Sequence, residues 1–178
     1  WMFRRAPRPE WTKLTLPNAP ALAFRCDGFY DPVRDRIVVV TGGENPSGSG
    51  MVPNQVWGLS LGDTMRWSRI EPIGAGPATT VDPRVVYDAE ADALVFASGQ
   101  SGDPGLDVWT LPLGAPALWT KLATIGVPPI LGDLYTVTYD PPRHRLVTYS
   151  GIATDPIAHA LGLSAPYEWT TLAATGAG

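Results

Sequence analysis

Few side chains in this sequence could act as nucleophile, metal ligand or proton carrier. The histidines are His144 and His159, and the one cysteine is Cys26. His144 falls between Arg143 and Arg145 in a polar turn and His159 stands in a column of packing residues, so both are expected to be structural or solvated. Cys26 follows Ala-Phe-Arg and is expected to be a small buried residue. A single thiol excludes an internal disulfide framework and a multi-cysteine zinc site. Asp27 and Asp82 could supply the carboxylate pair of a glycoside hydrolase, which needs them ~5 to 9.5 Å apart. Their sequence contexts differ, however, and turn or strand-start roles are expected for both. The runs Asp31 to Asp35 and Asp88 to Asp92 could offer clustered oxygens to calcium. Each instead follows a tyrosine at the start of a turn, where an Asp side chain bonds the backbone two residues on. Nothing resembles a metal-binding His pair at helical spacing, a phosphate-cradling glycine loop or a nucleophile elbow. No catalytic residue, metal site or cofactor is expected.

The elements that would position these residues follow from composition. The chain has 178 residues, 44% hydrophobic and 17% charged, which suits one ordinary globular core. Its 19 Gly and 19 Pro are about a fifth of the chain, roughly twice average usage, so long helices are excluded. A net charge of −4 argues against general affinity for nucleic acid, and Arg4, Arg5 and Arg8 are assigned to a solvated turn. No apolar run approaches the ~18 residues of a membrane-spanning helix, and no membrane insertion is expected.

Internal periodicity carries most of the information. Trp11, Trp67, Trp119 and Trp169 recur at intervals of 56, 52 and 50 residues, opening the phrases Trp-Thr-Lys-Leu, Trp-Ser-Arg-Ile, Trp-Thr-Lys-Leu and Trp-Thr-Thr-Leu. Ten residues before each lies a second column, Trp1, Trp57, Trp109 and His159, so all seven Trp occupy two registers of one repeat. A third column is Tyr-Asp, a short turn, an apolar run and a glycine stop: Tyr30 to Gly42-Gly43, Tyr87 to Gly99 and Tyr139 to Gly151. That is a hairpin signature. With the two Trp-marked segments it makes a four-stranded antiparallel meander. The spacing between columns is nearly constant except between the second and third strands, where Glu44 to Gln55, Gln100 to Asp107 and Ile152 to Ala158 vary in length and read as surface loops.

A repeat near 50 residues with Gly42-Gly43 after its second strand, Val56-Trp57 and Val108-Trp109 in its third and a Trp opening its fourth is similar to the kelch motif of β-propellers. The resemblance covers nearly the whole chain and departs from the motif at Gly99-Gln100, Gly151-Ile152 and His159. It implies an all-β propeller segment: an outer half-blade at residues 1–17 and blades at 18–73, 74–125 and 126–178. In such an array all seven Trp are expected to pack between blades. Closed propellers hold roughly four to eight blades, so three and a half blades are expected to be part of a larger ring, within a longer chain or between chains. Kelch-like propellers are mostly binding platforms, and only the galactose oxidase group are enzymes. A copper site of that kind would need Cys26, His144 and His159 to converge with a tyrosine, and they fall at three different levels of a blade.

A recognition surface remains. In a meander, the loops after the second strand and the linkers between repeats share one face. There the sequence places Glu44, Asn45, Asn54, Gln100, Asp103, Asp107, Thr154 and Asp155. This polar, mildly acidic set suits a protein segment or a carbohydrate, and further copies or chains completing the ring are a second class of partner. An enzyme with decisive residues outside this chain and a structural subunit of a multichain complex are the alternatives.

Overall fold

The computed structural model describes residues 1–5, 7–21, 25–79, 83–99, 105–129, 135–150 and 157–173. These residues form an all-β structure with no α-helix; the sole helical turn is a three-residue 3-10 turn at Pro141–Arg143. β1 (Met2–Arg4) and β2 (Glu10–Thr12) make a two-stranded antiparallel ribbon. Sheet I is β3 (Arg25–Asp31), β4 (Arg36–Glu44), β5 (Met51–Ser60) and β6 (Arg66–Ile70). Sheet II is β7 (Arg84–Asp88), β8 (Ala93–Ser98), β9 (Asp107–Pro112) and β10 (Thr120–Lys121). Sheet III joins β12 (Tyr135–Asp140), β13 (Arg145–Ser150), β14 (Ala158–Gly162) and β15 (Glu168–Leu172), with β11 (Ile125–Gly126) added at its outer edge. Within each sheet the four main strands run antiparallel in sequence order, and none of the sheets closes on itself.

The Tyr-Asp turns show why these hairpins form. The buried Asp31 accepts hydrogen bonds from the amides of Val33 and Arg34, and Asp88 does the same for Glu90 and Ala91. The third turn departs from this pattern because the residue two past Asp140 is Pro142, which has no N–H to donate. It winds into the 3-10 turn, closed by the His144 amide on the Pro141 carbonyl. All three turns end on a left-handed residue, Asp35, Asp92 and His144, at φ of 45°, 48° and 43°.

Two of the sequence expectations fail here. Gly42-Gly43 does not stop the second strand. β4 runs through to Glu44, with the register slipping between Thr41 and Gly43 and Gly43 at φ 91°. A glycine at positive φ lets a strand bulge and continue, and so β5 starts at Met51 and takes Asn54 and Gln55 out of the loop. The loop itself is only 45–50. Cys26, expected to be buried, is exposed.

Burial is organised between sheets. From β8, Leu94 and Phe96 pack with Val38, Val40 and Val56 of sheet I, while Val95 and Ala97 pack with Leu146, Leu161 and Trp169 of sheet III. Sheet II is thus buried on both faces, and β3, β7 and β12, the first strands of the three sheets, lie side by side. Each Val, Leu and Phe side chain among these contributes about 1.5–3 kcal/mol by leaving water. Trp109 and Trp119 pack against the I–II core and Trp169 lies within the II–III core, as the repeat implied. Trp57 and Trp67 are half-buried on the opposite face of sheet I. Trp1 and Trp11 break the expectation, being 75% and 65% exposed on a ribbon of only two strands, where the Trp11 ring lies beside Phe3 with centroids 5.1 Å apart.

Linkers complete the outer edges. Ile73 bridges in parallel to Leu118, its amide on the Ala117 carbonyl, and Ile125 pairs with Glu168, its amide on the Tyr167 carbonyl. The residue after each is a glycine at φ 81° or 82°, and a Cβ on Gly126 would sit 2.7 Å from the Trp169 carbonyl oxygen. Replacing Phe96 by Ala, at a site with no exposure and contacts to the I–II core, is expected to cost about 3–5 kcal/mol in urea unfolding. Replacing Trp11 by Ala should cost well under 1 kcal/mol in the same measurement.

Candidate functional site

The meander gives the molecule two ends, and they differ in chemistry. At the turn end, charged and hydrogen-bonding groups join one sheet to the next. Arg34, held on Asp31 at 3.2 Å, reaches across from sheet I to Asp92 of sheet II, with Nη2 2.6 Å from Oδ2. Asp92 also accepts the Tyr87 hydroxyl at 3.0 Å. Arg36 lies 2.8 Å from Asp31 and reaches the Leu113 carbonyl of sheet II at 3.4 Å. Between sheets II and III the polarity is reversed. The carboxylate is now Asp88 of sheet II, and His144 Nε2 lies 3.0 Å from it while His144 Nδ1 meets Ser164 at 3.1 Å. The Tyr139 hydroxyl crosses to Asp88 as well, at 3.2 Å. His144 is therefore an inter-sheet fastening rather than a solvated turn residue. One signal could have found this: the position that is Asp in the first two turns is His in the third.

These contacts shift ionisation. The hydrogen bond from Arg34 holds the Asp92 carboxyl below its ordinary range against the opposing effect of partial burial. Burial, then the bond to Asp92, pushes the Tyr87 phenol up to about 12; burial and the charge of Asp88 do the same to Tyr139. Arg145 and Arg143 together lower the Asp140 carboxyl.

At the loop end stand the residues singled out for binding. Glu44 is exposed at the tip of β4. Asn45 organises its own loop, accepting the Ser47 amide and hydroxyl while its backbone pairs with Gly48 and Gly50. Asn54, on β5, donates to the Ala78 carbonyl at 2.8 Å and so ties the linker to sheet I; its Oδ1 faces Gly42, where a Cβ would collide at 2.4 Å. Asp107 pairs with Lys121 at 2.8 Å, and the Lys121 ammonium lies over the Trp109 ring. Gln100, Asp103, Thr154 and Asp155 lie outside the described residues, as does Asp82.

Clefts open on the described surface, of which two bear on the site. One, of about 240 Å³, lies at the loop end between sheets I and II. Its walls are the first half of β5, the end of β6 through Pro72 and the linker from Gly74, with Trp119 also lining it. Its polar groups include Asn54, Gln55, Arg69, Glu71 and Thr79, and Arg69 pairs with Glu71 at 3.2 Å. The other, of about 480 Å³, follows the first strands β3, β7 and β12. Its acidic group is already engaged: Asp27 accepts the Gly28 amide and, at 2.9 Å, the Val85 amide of the next sheet. Its basic group, Arg84, donates to the Tyr135 carbonyl at 3.1 Å. Cys26 lines this cleft on β3, His144 sits at the turn end and His159 on β14, three separate elements. Among the described residues no three His, Cys, Asp or Glu side chains gather as a metal site.

A scan against protein-family models finds no match, and a search of the curated proteins finds none.

Two titrations test the turn-end network. The Tyr87 and Tyr139 phenols are raised from 10.0, so their contribution to stability is complete below pH 10 and lost as pH climbs towards 12. Absorbance of phenolate is expected to show two of the six tyrosines ionising near pH 12, together with unfolding. On the acid side the sign is opposite: Asp92, lowered from 3.8, stabilises the fold above that pH and loses its contribution as pH falls through the lowered value. Arg34→Met should flatten the loss of unfolding free energy as pH falls below 3.8.

Proposed function

We propose that this chain is a segment of a kelch-like β-propeller that acts as a non-catalytic recognition module, binding a protein segment or a carbohydrate on its loop-and-linker end. The observation that carries this reading is the contrast between the two ends. The turn end uses Asp31, Arg34, Asp92, Asp88 and His144 to hold sheets together, while the loop end presents an open cleft with polar side chains in its lining. Three features support the propeller: neighbouring first strands, face-to-face packing of successive sheets, and linkers that dock on the outer edge of the sheet that follows. Such an array sets its loops on a rigid scaffold, which is where binding residues are commonly carried.

The cleft of about 240 Å³ is smaller than the ~300–1,000 Å³ pockets that enclose a drug-sized ligand. It suits an extended peptide or a sugar chain lying across the surface, with Gln55, Arg69 and Glu71 as hydrogen-bonding partners.

Glycan and peptide arrays probed with the whole chain test this. A ligand found there is expected to lose at least about tenfold in affinity with Arg69→Ala combined with Glu71→Ala. The melting temperature should hold, since an exposed ion pair is worth only ~0–1 kcal/mol. Stoichiometric copper in the purified protein, or turnover of a glycoside, would replace this reading with an enzymatic one.

A further inference from the structure

The repeat fixes which face of each sheet meets its predecessor. Tyr87, Leu94, Leu111 and Trp119 of sheet II face sheet I, and Tyr139, Leu146, Leu161 and Trp169 of sheet III face sheet II. The equivalent row in sheet I is Tyr30, Ile37, Leu59 and Trp67, aligned in one register across β3 to β6. Its inner half is open, with Tyr30 50% and Ile37 36% exposed. The opposite end of the array, the far face of sheet III, shows Tyr149 at 45% exposure beside Val147 and Ala160. Within the chain, faces of these two kinds meet twice.

Charge makes the pairing specific. At the I–II joint, Arg34 is braced on Asp31 and its free end reaches Asp92, which is itself fixed by Tyr87. Sheet III reproduces the donor half: Arg143 is braced on Asp140 at 3.3 Å, Arg145 on the same carboxylate at 2.8 Å as Arg36 is on Asp31, and Arg143 is 64% exposed. Sheet I reproduces the acceptor half: Asp35 at φ 45° accepts the Tyr30 hydroxyl at 2.9 Å, matching Asp92 at φ 48° with Tyr87 at 3.0 Å. The II–III joint has neither half, carrying Ala91 and His144 at these positions. The two open ends therefore carry the two complementary halves of the I–II fastening, Arg143 as donor and Asp35 as acceptor.

We infer that the chain associates head to tail with a second copy of itself, the far face of sheet III docking on the open face of sheet I, with Arg143 of one copy on Asp35 of the next. The inference rests on the propeller packing proposed above. A contact of this heterologous type repeats the rotation of the internal joints and closes copies into a ring when that rotation divides the circle.

Sedimentation of the whole chain over a micromolar to submillimolar range tests it. Mass is expected to rise in multiples of 19.0 kDa. Arg143→Glu and Asp35→Arg should each weaken association at least about tenfold, because like charges meet at the joint. The two substitutions in one chain should restore it, which a folding defect in either would not allow. A chain that remains at 19.0 kDa throughout, or an Arg143→Glu variant that associates like the parent, overturns the inference. Ligand binding measured on the same samples keeps the two readings apart: a monomer that binds removes self-association alone, and an assembly with restored charges and no ligand supports self-association while removing recognition.

Discussion

Alternate residues of β8 point to opposite sides, and both sides of β8 are core. Leu94 and Phe96 close one interface while Val95 and Ala97 close the other, with none of the four more than 1% exposed. A four-stranded sheet with two apolar faces has no stable isolated form, because whichever face it buries the other remains in water. Every other feature follows from that constraint. The sheets stack in sequence order, the turns share one end and the loops the other, and Trp109, Trp119 and Trp169 fall between sheets. The ribbon of β1 and β2 shows the alternative, with Trp1, Phe3 and Trp11 left largely in solvent.

Apolar stacking alone would let sheets slide over one another, since burial has no direction. The turn end supplies direction. Arg34 on Asp92 and His144 on Asp88 achieve the same fastening with donor and acceptor exchanged between the sheets. The exchange is consistent down to the tyrosines: the Tyr87 hydroxyl stays with the carboxylate of its own turn, whereas Tyr139, whose turn offers a histidine, reaches back to Asp88. Asp88 shapes its hairpin and also anchors the neighbouring sheet, whereas Asp31 shapes its own hairpin and braces the Arg34 that reaches across. Their burial costs desolvation, which these multiple hydrogen bonds offset.

The all-β class and antiparallel pairing were legible in the sequence because each is written three times. A column of Tyr or Trp at fixed spacing survives differences in any one repeat. What was not legible sits at positions where the repeats disagree. Gly42-Gly43 reads as a stop because glycine usually ends a strand, yet here its positive φ makes a bulge that carries the hairpin on to Glu44 and Met51. Asn54 reads as a loop amide because the loop looked longer than it is. Cys26 lies in an apolar phrase, but alternation along β3 puts it in register with Thr41 and away from the buried Phe29 side of the strand. Of the loop-end candidates, Asn45, Asn54 and Asp107 each hold part of the scaffold, which residue type alone does not reveal.

The linkers bear on a different hazard. An outer strand with unpaired amides and carbonyls is a template for strand addition by any passing chain, and natural sheets guard such edges. β10 and β15 are guarded by residues of the preceding repeat, through Ile73 and through Ile125 with Gly126. At the corresponding place before sheet I stands Pro17, which has no amide to give. Proofing against aggregation is thus passed from one repeat to the next along the chain, and the rim of sheet I, at β6, is where it is weakest.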